Sequence, residues 1–287
     1  MKLPADYDII ILLYICYYTE RQKKGNKYEE KKVLITGSSR GIGRACALAF
    51  AKAGYHVFIN CNNSVDQLKE TEKEIISLGG SCTMLPGDVS DPDTVRFMFR
   101  EIASFCGHDC EDISSGKTPP TCSGGLDVLV NNAGISHFGL LSDMSDEEWR
   151  NILETNLSSV FYCCREAIPY MVSQKKGKII NISSIWGISG ASCEAAYSAA
   201  KSGVNGLTQA LAKELAPSNV QVNAIACGVI DTEMNARLSG EDRRALADEI
   251  PAGRFGTSEE IARFALSLAD APGYLTGQII TMDGGYL

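Results

Sequence analysis

The stretch VLITGSSRGIGRACALAFAKAG, residues 33–54, decides how the rest of the chain is read. Residues 33–36 read as an apolar strand, 37–43 as a glycine-rich loop and 44–53 as a helix that Gly54 ends. Glycines at 37, 41 and 43 let backbone approach a pyrophosphate, and the following helix offers N–H groups and the positive end of its dipole. A glycine-rich turn by itself is as often only a turn as a nucleotide site. This one stands between a strand and a helix, the context that nucleotide binding requires. Gly37, Ser39, Arg40, Gly41, Ile42 and Gly43 are therefore candidate cofactor contacts.

The next strand, 56–60, ends in NCNNS at 60–64, which makes Asn60 a further candidate contact. A site for NAD normally carries a carboxylate there for the ribose 2'-hydroxyl, and none occurs before Asp66. Arg40 stands in the glycine loop instead, either as a solvated charge or as a partner for a 2'-phosphate. This charge pattern favours NADP(H) over NAD(H). A helix over 65–78 leads to strand 82–86 and Gly87-Asp88-Val89, where Asp88 either accepts from an adenine amino group or caps the helix starting near Asp91. Strand 126–130 opens onto Asn131-Asn132-Ala133-Gly134, small enough for a flat ring or a ribose to come close. Further strands at 178–182, 220–225 and 278–282 alternate with helices. The pattern predicts one α/β domain, a doubly wound parallel sheet of the Rossmann type with ligand at the strand C-terminal ends.

The second informative stretch is ISSIWGISGASCEAAYSAAK, residues 182–201. Tyr197 and Lys201 lie one helical turn apart and share a face. A phenol ordinarily titrates near pH ~10, and an ammonium beside it stabilises phenolate and lowers that value. Ser184, at the end of a strand, can hydrogen-bond the carbonyl that Tyr197 protonates. Such a Tyr/Lys pair alone is common on solvated helix faces; the other motifs give it weight. Asn156, within a helix expected over 146–170 and capped by Ser145, either faces solvent or backbone, or holds a water between Lys201 and bulk. Glu194, one turn before Tyr197, either complements the helix dipole or faces the substrate mouth, where it favours an amine-bearing ketone. The helical stretch 232–249 is a candidate lid.

A chain of 287 residues, 45% hydrophobic, buries a sizeable core, and a net charge of -8 with pI near 5.0 argues against nucleic acid as a partner. Eleven cysteines are scattered without framework spacing, as expected for reduced thiols in the cytoplasm. A Gly/Ser/Pro/Thr-rich insertion is expected over 106–125. Its Cys106, His108, Cys110 and Cys122 match no standard zinc spacing, so no metal is expected. Residues 9–18 are apolar but too short to span a bilayer; the residues before them include Asp6 and Asp8 rather than a basic cluster, and no small-residue cleavage site accompanies them. Residues 1–31 are expected to be a dispensable extension rather than a membrane anchor.

Thr36-Gly37-x-x-x-Gly41-x-Gly43, Asn131-Asn132-Ala133-Gly134, Asn156, Ser184, Tyr197-x-x-x-Lys201 and Asp283-Gly284-Gly285, in this order, make residues 32–287 resemble the short-chain dehydrogenase/reductase family. Within it the chain is similar to bacterial 3-oxoacyl-[acyl-carrier-protein] reductases of fatty acid biosynthesis, NADPH-dependent homotetramers. The resemblance implies Tyr197 as proton donor, Ser184 as carbonyl polariser, Lys201 as pKa modulator and ribose ligand, and Asn156 as relay anchor. It further implies that Gly37, Arg40, Gly41, Ile42 and Gly43 hold phosphates and Asp88 and Val89 the adenine. Asn132, with Ala133 and Gly134, would meet the ribose, and Ile230 and Thr232 the nicotinamide side.

Two features depart from the family pattern. Cys227-Gly228 replaces the usual Pro-Gly, removing a fixed φ. The segments Ser183 to Gly187 and Gly190 to Glu194 also resemble a subgroup that reduces the 5-aminopentanone group on elongation factor P. Lys175, Lys176 and Lys178 form a basic turn that is either solvated or, by the resemblance, recruits an acidic carrier protein. Helices 146–170 and 193–216 are either tetramer faces or core helices. A non-catalytic dinucleotide-binding regulator on the same fold is disfavoured by the complete Asn156, Ser184, Tyr197, Lys201 set.

Overall fold

The computed structural model describes residues 30–107, 125–236 and 238–287. Seven short runs, all but the third (Ser81–Met84, SCTM) rich in Val, Ile or Leu, form one sheet because most are apolar on both faces, as a sheet covered on both sides demands. They are β1 (Lys32–Ile35), β2 (His56–Ile59), β3 (Ser81–Met84), β4 (Val128–Asn131), β5 (Gly177–Ser184), β6 (Val220–Cys227) and β7 (Ile279–Met282). All pair in parallel in the order β3-β2-β1-β4-β5-β6-β7, with Val33 beside Val57 on one side and Val128 on the other. The order reverses between β1 and β4, and in such sheets ligands bind in the crevice outside the strand ends at that point.

Helices α1 (Gly41–Lys52), α2 (Val65–Ser77) and α3 (Pro92–Phe105) follow the first three strands. Phe50 of α1 and Leu68 and Ile75 of α2 are fully buried, packed in one core cluster with Ile35 and Ile261. Met98 of α3 packs in a second cluster with Leu34, Leu129 and Met171. This two-layer cover is what the strand–helix alternation implied.

Several element boundaries differ from expectation for local reasons. Helix α1 starts at Gly41 rather than 44, because Arg40 is extended (φ -156°) and the helix turns in immediately after it. The helix expected over 146–170 is three pieces: α4 (Asp146–Leu153), a π turn (Glu154–Ser158) and α5 (Ser159–Gln174). Strands β5 and β6 run two residues past their apolar runs, to Ser184 and Cys227, because the small residues at their ends are buried as well. A four-residue turn, α6 (Trp186–Ser189), and the long α7 (Ala195–Leu215) follow β5. The stretch 232–249 is a 3-10 turn (Glu233–Asn235) and a separate α8 (Gly240–Glu249) with no buried residue, and α9 (Ser258–Asp270) covers the sheet next to α1.

The basic turn stands at the wrong end of the sheet to serve the crevice. Lys175 and Lys176 precede β5, whose eight residues carry the chain roughly 25 Å to Ser184 at the other end. Lys176 pairs with Asp127 at 2.7 Å, and Lys178 Nζ donates to the Ala271 carbonyl at 2.6 Å, so both amines serve the fold. The expectations for residues 1–29 and for His108, Cys110 and Cys122 lie outside the described residues. Among the described residues no helix is long and apolar enough to cross a membrane, no group of three His, Cys, Asp or Glu is placed to hold a metal, and the eight cysteines are free thiols.

Candidate active site

The glycine loop is held by side-chain amides on both sides, one buried and one half-buried. Asn60, 1% exposed, accepts from the Gly37 N–H through Oδ1 (3.3 Å) and donates through Nδ2 to the Leu85 and Gly87 carbonyls (2.8 and 3.0 Å). Its amide is fully engaged, so Asn60 shapes the loop rather than offering that amide to a ligand. Asn132 Nδ2 likewise donates to the Thr36 and Gly37 carbonyls (2.9 and 3.0 Å), while Thr36 Oγ1 accepts from the Asn132 and Ala133 N–H groups, each at 3.0 Å. Thr36 was legible only as part of the motif; its donors come from the segment just past β4, 96 and 97 residues away.

The same loop fits a pyridine dinucleotide. Gly37 and Gly41 have φ of 64° and 54°, which side chains other than glycine rarely adopt, and a Cβ on Gly43 would collide with the Gly37 carbonyl and the Asn132 amide. The first turn of α1 carries neither a capping side chain nor an acid, leaving its N–H end and dipole open to an anion. Gly41 and Ile42 line a cleft of about 740 Å³ that runs on past Ser39, Asn132, Ala133 and Gly134. Across it stand Ile230, in a parallel bridge to Gly256, and Thr232, facing Gly41.

At one end the cleft is lined by Asn62, Asn63, Ser64, Asp88 and Val89. Asp88 does not cap α3; Asp91 does, accepting from the Asp93 and Thr94 N–H groups. Asp88 instead accepts from Ser90 N and Oγ (2.9 and 2.7 Å) and from Asn62 Nδ2 (2.9 Å), which joins the ends of β2 and β3. Arg40 is not a free loop charge: its Nη1 pairs with Glu233 Oε2 at 2.8 Å.

At the other end Ser184, Tyr197 and Lys201 converge. Ser184 Oγ accepts from the Trp186 N–H at 3.1 Å and hydrogen-bonds the Tyr197 phenol. Lys201, 5% exposed, donates from Nζ to the Ile182 carbonyl at 2.9 Å and lies 5.6 Å from the centroid of the Tyr197 ring. Burial pulls its pKa down to about 8, with Cys227 opposing the shift. The direction at Tyr197 is the reverse of the one expected from the sequence. Burial raises its pKa well above 10, the bond with Ser184 opposes this, and Cys227 and the Glu194 carboxylate add to the rise. Desolvation outweighs any help from an amine whose own charge is disfavoured by burial.

Asn156 does not face solvent. The π turn buries it completely, and its amide brackets Ile135, accepting from its N–H (3.0 Å) and donating to its carbonyl (2.8 Å). This fixes the floor beside Lys201, since a Cβ on Gly134 would lie 2.6 Å from Asn156 Oδ1 and 3.6 Å from Lys201 Nζ. Glu194 stands at the N-cap of α7 without a side-chain capping bond, outside the cleft lining. Cys227 ends β6 inside the cleft, and burial pushes its thiol up to about 12.

One supporting group escaped the sequence reading. The Gly187 carbonyl accepts from Ser202 Oγ and Asn205 Nδ2, both at 3.0 Å, and Ser183 Oγ donates to Asn205 Oδ1 at 2.7 Å. These bonds fasten α6 onto α7 at Lys201, where a Cβ on Gly187 would sit 2.8 Å from the Lys201 carbonyl carbon. A polar residue one turn beyond Lys201, on its buried face, was the available signal.

The family model for short chain dehydrogenase matches residues 31–243, and the chain belongs to that family. It is 40% identical over 256 residues to the 3-oxoacyl-[acyl-carrier-protein] reductase FabG of Staphylococcus aureus, covering 89% of this chain and 97% of that one. The FabG of Thermotoga maritima is 38% identical over 260 residues, 90% of this chain and 98% of its own. A crystal structure of a short-chain type dehydrogenase/reductase from Mycobacterium marinum superposes with a TM-score of 0.78 at 37% identity, covering 89% and 95% of the two chains. The protein is accordingly an oxidoreductase of the short-chain type, similar to the FabG ketoreductases.

Proposed function

We propose that the protein is an NADPH-dependent reductase of 3-oxoacyl groups carried as thioesters on acyl carrier protein, with Tyr197 as proton donor. The observation that carries the reading is the meeting of the Ser184 and Tyr197 hydroxyls, with Lys201 behind the ring, at the end of a cleft opened by the glycine loop. NADPH, when bound, supplies the hydride. The residues of this chain do the rest. Gly37, Ser39, Gly41, Ile42 and Gly43 hold the pyrophosphate, Arg40 takes the 2'-phosphate, and Asp88 and Val89 flank the adenine. Ala133 and Gly134 admit the ribose, held with Lys201, while Ile230 and Thr232 support the nicotinamide side.

Ser184 orients the carbonyl oxygen, and Tyr197 Oη passes its proton to it. The raised pKa of the buried phenol keeps that proton on Tyr197 until the oxygen develops charge, and the Lys201 ammonium then stabilises the phenolate left behind. Asn156 acts through Ile135, holding the wall that Lys201 packs against. The names of the relatives support the acyl carrier. The reading extends to a cytoplasmic homotetramer in which residues 1–31 are dispensable. Truncation with intact activity and a tetrameric mass would agree.

A second reading has one specific observation. The Glu194 carboxylate acts on Tyr197, and a negative charge beside the proton donor favours a ketone bearing an amine, such as the 5-aminopentanone group on elongation factor P. Parallel assays with NADPH and NADH against acetoacetyl thioesters and an amine-bearing ketone decide between the two. Turnover of the thioester with NADPH supports the first reading; no turnover with any acyl thioester overturns it.

A further inference from the structure

Only two cations line the cleft among the described residues, Arg40 and Lys201, and only two carboxylates, Asp88 and Glu233. Lys201 is buried at the reacting end, which leaves Arg40 as the single cation along the rest of the cleft wall. One arm of that guanidinium is already engaged. Nη1 pairs with Glu233 Oε2 at 2.8 Å, across the cleft from the glycine loop to the 3-10 turn that follows Thr232. A ligand with a phosphate beside Arg40 therefore meets a carboxylate in possession of its partner.

We propose that Glu233 is a specificity-determining residue that competes with the cofactor's 2'-phosphate for Arg40, so that binding the phosphorylated dinucleotide exchanges one anion for the other. The proposal rests on the NADPH reading above and adds to it a cost specific to that cofactor. Both side chains are more than half exposed, 56% and 58%, so the pair is weak enough to exchange. A dianionic phosphate with three acceptor oxygens outbids a single carboxylate for a guanidinium. NADH presents only a hydroxyl there and leaves the pair intact.

The exchange has a second consequence. Met234 and Asn235, in the same turn, line the cleft, and Asn235 Nδ2 ties the turn to the Ile230 carbonyl at 2.8 Å. Freed from Arg40, Glu233 no longer pins that turn to the glycine loop. The identity of the nucleotide is thereby reported to the segment leading into α8.

The test is cofactor binding to the full chain without substrate, by calorimetry with NADPH and NADH for wild type, Glu233→Gln and Arg40→Gln. The neutral amide of Glu233→Gln keeps the shape and removes the competing charge. NADPH is expected to bind about three- to five-fold tighter to Glu233→Gln, the value of an exposed ion pair, with NADH unchanged within two-fold. Amide hydrogen exchange over 233–236 should rise in wild type on adding NADPH and not NADH, and should already be high in Glu233→Gln. Unchanged or weaker NADPH binding by Glu233→Gln, in a wild type that prefers NADPH and loses the preference in Arg40→Gln, overturns the competition and leaves the NADPH reading standing. A wild type that prefers NADH, with Arg40→Gln indifferent, overturns both.

Discussion

Lys201 lies beneath Tyr197, its Nζ 5.6 Å from the ring centroid, and its hydrogen bond goes to the Ile182 carbonyl rather than to the phenol. The amine makes no hydrogen bond to the phenol, and its own charge is destabilised by burial. One desolvated environment shifts the two groups in opposite directions, raising the phenol and lowering the amine.

This arrangement makes stability depend on pH with a definite sign. The pKa of Lys201 is about 8 when folded against 10.5 normally, so between those values the unfolded chain binds more protons and this group's contribution to stability rises with pH. Lys201→Met removes the buried charge. The variant should be more stable than wild type at pH 7, by about 1–2 kcal/mol after losing the bond to Ile182, and the gain should shrink by pH 9.5. Urea denaturation at the two pH values checks this; an equal difference at both contradicts the depressed value.

Asn156→Ala strips both bonds from the Ile135 backbone in a fully buried place. A loss of about 2–3 kcal/mol is expected, together with reduced turnover. Denaturant midpoints measure it, and a loss below about 0.5 kcal/mol would mean that water replaces the amide without cost.

Gly43→Ala places a methyl group against the Gly37 carbonyl and the Asn132 amide. The loop must shift, so NADPH affinity should fall at least about ten-fold while the fold loses on the order of 1–3 kcal/mol. Calorimetric titration checks the first and thermal unfolding the second; unimpaired NADPH binding contradicts the proposed cradle.

Reversing charge at Lys175 should leave carrier-bound substrates unaffected, because this residue precedes β5 at the end remote from Ser184. For Lys175→Glu, kcat/KM with a 3-oxoacyl carrier protein should stay within about two-fold of wild type, since a remote surface charge contributes little. A ten-fold rise in KM for the carrier-bound substrate alone would place the docking surface there after all.

Most of the sheet was legible because strands buried on both faces read as continuous Val, Ile and Leu runs, and because the glycine loop marks the first strand–helix turn. The placement of Tyr197 and Lys201 one turn apart on a helix was legible from local spacing. What escaped was set by distant partners. Asn60 reads as an open strand end, yet its amide is consumed by Gly37, Leu85 and Gly87. Asn156 reads as mid-helix, yet a π turn that no local pattern announces buries it against Ile135. The Arg40–Glu233 pair joins residues 193 apart, and the direction of the Tyr197 shift depends on burial that spacing cannot supply.

The central claim is that the Tyr197 hydroxyl gives up the proton beside a bound nicotinamide, and Tyr197→Phe tests it with the loss of one oxygen. In single-turnover mixing of NADPH-loaded protein with acetoacetyl thioester, the variant should bind NADPH as wild type does. Its rate of NADPH oxidation should fall by about 10²–10⁴, the usual worth of a positioned proton donor. Oxidation at the wild-type rate would contradict the account.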